Sequence, residues 1–93
     1  GEVRKIEYLI SRLEKMKDAE FIRNGTAYNS RQAAEHLRLK WKKGGTRIKT
    51  VDDFIKLCAS RSYITGQTYK IRFANGRTED AATVLRSMLK EIP

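Results

Sequence analysis

Cysteine and histidine are nearly missing from this sequence, each occurring once, as Cys58 and His36. One thiol cannot close an intrachain disulfide. One Cys with one His cannot supply the four protein ligands of a structural zinc site. No metal or cofactor is therefore expected. No apolar run approaches the ~20 residues that span a bilayer. The opening Gly1-Glu2-Val3-Arg4 lacks the basic region and apolar run of a secretory signal. It also lacks an initiator Met, so Gly1 reads as a remnant of processing or expression. Internal repeats, low-complexity segments and long linkers are absent as well. There is no G-x-S-x-G elbow. Gly44-Gly45 follows a helical pattern instead of preceding one, the wrong polarity for a phosphate-cradling loop.

What is present is a basic chain of 93 residues with a formal net charge of +9, 40% hydrophobic and 33% charged. That length supports one domain over 1–93 with one small core. The apolar content, arranged periodically, argues against disorder. The charge implies attraction to anions such as nucleic acid, lipid head groups or acidic envelope polymers. The competing reading is that charge merely keeps a small protein in solution.

Val3, Ile6, Leu9, Ile10, Leu13 and Met16 recur every three or four residues, which predicts an amphipathic helix over roughly 3–17. Asn24-Gly25 between Glu20–Arg23 and Thr26–Tyr28 is a hairpin signal, because both turn positions need positive φ. Asn29 with Gln32, and Thr50 with Asp53, form two capping-box patterns. The first opens a helix that carries Ala33, Ala34, Leu37 and Trp41 on one face and ends at Gly44-Gly45. The second opens a helix with Val51, Phe54, Ile55 and Cys58 inward. After a polar stretch from Ser60 to Gly66, residues 68–73 alternate as a strand. Asn75-Gly76 is a second hairpin signal, with Arg77-Thr78 returning. Glu79 and Asp80 suit the positive end of a last helix over about 79–92. The expected fold is α+β, about four helices packed with two short antiparallel β-hairpins in the order αββααββα.

The densest chemical feature is a strip of cations with no acid among them: Arg38, Lys40, Lys42, Lys43, Arg47 and Lys49. It is a candidate anion-binding strip. Cations at a helix C-terminus also complement its dipole without any ligand. Trp41, sharing a face with Ala34 and Leu37, reads as core. His36 lies on the opposite side of that helix near Leu39, an apolar residue on the expected wet face. Packing of His36 against a hairpin is the favoured reading, with a surface site as the rival. A second candidate surface gathers Arg23, Asn24, His36, Ser60 and Ser62. Structural roles compete here too, since Asn24 is explained by its turn, and Ser60 and Ser62 could terminate the third helix.

Catalysis needs a base beside a nucleophile. Ser60, Ser62, Thr65 and Cys58 are the candidates, but no spacing ties them to His36, and an inward Cys58 stays protonated. The pairs Asp52-Asp53 and Glu79-Asp80 fall at expected helix starts, where capping accounts for them. The chain is therefore expected not to be an enzyme. A winged-helix-like nucleic-acid-binding module is the alternative, given three helices followed by a hairpin. Against it, Asp52 and Asp53 would face the groove at the recognition helix's N-terminus.

The blocks Phe21–Tyr28, Ala33–Arg38, Arg47–Ile55 and Ala59–Ser62, with Gly66 and Tyr69 beyond, resemble a family of small uncharacterised bacterial proteins, a domain-of-unknown-function group. The resemblance spans roughly residues 3–73. Tyr63, Thr65 and Thr68 stand where that family tends to have Ser, Ser and Pro, which weakens any idea of a serine cluster with chemistry in this loop. Members usually begin with a secretory signal, so the resemblance implies an exported bacterial protein, periplasmic or secreted, whose signal has been removed. It carries no activity and no catalytic residue. The expectation is a binding or structural module whose basic strip contacts an anionic envelope polymer or lipid head groups.

Overall fold

Ile6, Leu9, Ile10 and Leu13 form a continuous buried stripe on helix α1, Glu2–Glu14. The structure, a computed structural model, describes residues 1–92. Helix α1 stops three residues short of the expected 17, because Lys15 caps it and Met16 N–H turns back to the Leu13 carbonyl. Val3, counted with the stripe, is 59% exposed, since it stands at the stripe's margin and not on its centre line.

Strands β1, Glu20–Arg23, and β2, Thr26–Tyr28, form the expected hairpin. Its turn holds Asn24 at φ 51° and Gly25 at φ 79°. Helix α2, Ser30–Gly44, opens on the Asn29/Gln32 capping box, with both reciprocal bonds made. A single 3-10 turn, Gly45–Arg47, follows. Helix α3 begins as an α-helix at Val51–Phe54, under the Thr50/Asp53 capping box, and widens to π geometry over Ile55–Ala59. Phe54, Ile55, Cys58 and Ala59 are all buried. Ser60 Oγ donates to the Ile55 carbonyl at 2.7 Å.

Strands β3, Lys70–Arg72, and β4, Thr78–Asp80, form the second hairpin. The ladder is shorter than the expected 68–73, and Thr68 makes only an isolated bridge with Arg61. The two hairpins are one sheet. β1 pairs antiparallel with β3, Phe21 opposite Ile71, giving the order β2-β1-β3-β4. Glu79 and Asp80 belong to β4, and Asp80 is at the same time the N-cap of the last helix, without a side-chain cap bond. Asp80 accepts from Lys70 across the hairpin at 2.7 Å and from Thr68 at 3.1 Å, and Glu79 from Arg77, two residues earlier, at 2.7 Å. Helix α4, Ala81–Leu89, starts two residues later than expected and buries Ala81, Val84, Leu85 and Met88.

The inner face of the sheet, through Phe21 and Ile71, closes one hydrophobic core with the four helices. The outer face carries the Glu20–Arg72 and Lys70–Asp80 ion pairs. The α+β fold expected from the sequence is the fold observed. No described helix is long and apolar enough to cross a membrane.

Candidate functional site

Helical geometry divides the basic strip. Arg38 and Lys42 are four residues apart on one side of α2, whereas Lys40 lies on the same side as His36. Arg38 pairs with Glu14 of α1 at 3.4 Å. Lys40 turns away from the strip: its ammonium donates to the Tyr69 hydroxyl and sits 4.3 Å from that ring's centroid. Lys42, Lys43, Arg47 and Lys49 remain exposed, with no ion-pair partner among the described residues. The six cations of the sequence are thus four free ones at the helix end and two drawn into the fold.

The second candidate surface also divides, and one half joins Lys40. Side chains alternate along strands, so Arg23 shares the inner face of β1 with Phe21. Extending the β1–β3 register by one step sets Arg23 opposite Tyr69. Here the sheet and α2 enclose a cleft of about 60 Å³. Its floor is buried and apolar, built from Leu13, Phe21, Ala33, Leu37, Ala59 and Leu85. Its mouth is the half-buried set Arg23, Tyr28, His36, Lys40 and Tyr69. His36 stands edge-on to Tyr28, with ring centroids 5.0 Å apart, so it packs against the hairpin as expected. Packing and surface turn out not to exclude each other, because the packed ring also forms the mouth. No carboxylate is among the residues lining the cleft.

The other half of that surface is a polar clasp. Ser62 is buried, and its hydroxyl accepts from Asn24 Nδ2 at 3.3 Å and from the Ile64 amide at 3.3 Å. Thr65 Oγ1 donates to Asn24 Oδ1 at 2.6 Å. The clasp ties the β1–β2 turn to the loop over 61–67. That loop is closed on itself by Ser62 N–H to the Gln67 carbonyl and Gly66 N–H to the Ser62 carbonyl, both 2.9 Å. It holds out Tyr63 and Ile64, which are 84% and 89% exposed. Tyr63 lines a groove with Lys43, Arg47, Ile48 and the exposed Leu57.

The remaining candidates have structural work. Burial pushes the Cys58 thiol up, against the smaller opposing pull of Lys40 and Arg47. Asp52 is held below the usual carboxylate range by Arg86, 2.7 Å away on α4, and then by Lys56. Asp53 is lowered by the Lys49 and Thr50 amides that it caps. No cluster of His, Cys, Asp and Glu that could hold a metal occurs among the described residues.

Residues 2–93 match DUF5329, a family of unknown function. The chain belongs to that family. The match to DUF5329 is wider than the 3–73 over which the sequence blocks resembled such a group. The uncharacterised protein YfeK of Salmonella typhimurium is 43% identical over 65 residues, covering 70% of this chain and 54% of YfeK. The chain therefore spans about half the length of the curated relative it matches. No solved structure matches.

Tyr28 and Tyr69, which wall the cleft mouth, carried no role in the sequence reading. The available signal was Arg23: alternation places it on the same strand face as Phe21, an inward position where a lone cation is unusual.

Proposed function

We propose that this chain is a non-enzymatic module of an exported bacterial protein, and that it docks on an anionic lipid surface. The observation that carries the reading is the Tyr63-Ile64 tip beside the cationic end of α2. Two large apolar side chains are held in water by a loop whose backbone is hydrogen-bonded, so their exposure is not slack. Tyrosine favours the bilayer interface, and each nearby Lys or Arg adds about 1 kcal/mol of attraction to anionic head groups. An acidic polymer would use the cations but leave the apolar tip uncovered, so the combination favours lipid over polymer. Export rests on the family resemblance.

The absence of enzymatic activity is supported by what the candidate nucleophiles do. Ser60 is bonded to a helix carbonyl, Ser62 sits inside the clasp, and Cys58 is buried. A nucleic-acid reading has less support, because the start of α3 offers Asp52 and Asp53 where a recognition helix needs neutral or basic groups.

The test is co-sedimentation with vesicles of neutral phosphatidylcholine alone or mixed with anionic phosphatidylglycerol. Binding to the mixed vesicles only is expected. Tyr63→Ser with Ile64→Ser, and separately Lys43→Gln with Arg47→Gln, should each remove most of it while leaving the fold intact by circular dichroism. A loop variant that sediments as the parent does would overturn the lipid reading. Fractionation of the natural product with intact-mass measurement tests export, which an unprocessed cytoplasmic protein would refute.

A further inference from the structure

The cleft between the sheet and α2 lies outside the lipid-surface reading and makes a separate argument. Its floor is apolar and too small for a drug-sized ligand. Its mouth concentrates donors of one sign. The Arg23 guanidinium has no hydrogen-bond or ion-pair partner among the described residues. Lys40 is positioned by the Tyr69 hydroxyl and ring, neither of which neutralises it. His36 is fixed in place by Tyr28. Among the described residues nine other cations pair with acids, and of those that do not, only Arg23 and Lys40 are half-buried, both at this mouth, while the rest are exposed.

We propose that this cleft is a binding site for a small amphiphilic carboxylate, with the head group at Arg23 and Lys40 and a short apolar tail on the Phe21–Leu37–Ala59 floor. The planar fork of Arg23 matches a carboxylate in two-point contact, and Lys40 adds a second charged donor from the opposite wall. Head-group bonding at a half-buried mouth over an apolar floor is stronger than in open water. The cavity admits a tail of only a few carbon atoms, so chain length is limited as well as charge.

The experiment is amide-resonance titration of the whole chain with straight-chain carboxylates from acetate to decanoate, and with hexylamine and hexanol as matched controls. Saturable shifts are expected at His36, Ala59 and Tyr69, with affinity rising from acetate through the short chains and then levelling off. The amine and the alcohol should bind at least about tenfold more weakly. Arg23→Gln and Lys40→Met should each weaken carboxylate binding by about the same factor, while Lys42→Gln, at the exposed helix end, should not. The ligand series needs no variant, so the proposal stays testable even if Arg23→Gln fails to fold. Equal binding of hexylamine and hexanoate, affinity that climbs steadily to decanoate, or shifts confined to the Tyr63 loop would each overturn it.

Discussion

Single side chains in this protein carry tasks that their exposure alone does not reveal. Ser62 is a surface-type residue that is buried as the hub of the clasp, accepting from a side chain and from the loop backbone. Ser62→Ala leaves those donors unpaired and should lower stability by about 1–3 kcal/mol in chemical denaturation. Asn24 does two jobs, adopting φ 51° and bonding both Ser62 and Thr65. Asn24→Gly preserves the first and removes the second. It should therefore still lose about 1 kcal/mol, and a variant as stable as the parent would mean the clasp contributes nothing. Cys58, buried with a raised pKa, should resist iodoacetamide at pH 8 in the folded state and react at once in denaturant.

Elements are where the sequence was most readable. Both capping boxes, the Asn24-Gly25 turn and the inward faces of α2 and α3 follow from local chemistry and appear where the spacing puts them. Asn29→Ala should cost about 1 kcal/mol, measurable as a lowered unfolding midpoint with an unchanged denaturant slope. Less readable was anything decided between elements. Glu79 and Asp80 look like helix-start residues, but only Asp80 borders α4, and Lys70 across the hairpin holds its carboxylate in β4. The cation strip is continuous in sequence and broken in space, because helical periodicity carries Lys40 toward Tyr69, a residue 29 positions away. No local pattern signals the π turn at Ile55–Ala59. The cleft escaped for the same reason: its walls come from α2, β1 and the approach to β3, and only the inward Arg23 hinted at it.

At the scale of the whole molecule, exposed carboxylates act as ties between distant segments. Glu2 of α1 accepts from the Val51 amide at the start of α3 at 2.9 Å, which lowers its pKa, with Lys5 adding to the effect. Asp52 links α3 to α4, and Asp80 links the second hairpin to Thr68. All three, with Asp53, lie below their ordinary values of 4.5 for Glu and 3.8 for Asp. A folded-state pKa below the unfolded one gives stability that is complete above the unfolded value and lost as pH falls through the folded one. Melting temperature should hold level from neutral pH down to about pH 5 and then drop toward pH 2, with added salt blunting the change. A profile flat to pH 2 would mean these ties carry no stability. The β1–β3 ladder has a consequence of another kind. Glu20 meets its partner Arg72 only after about fifty further residues have been made. As the chain emerges, from the ribosome or from an export channel, the first hairpin therefore waits with one edge and the Phe21 face uncovered, a template for pairing with other incomplete chains. In a series of chains shortened from the C-terminus, aggregation should fall only once the second hairpin is included, and not before.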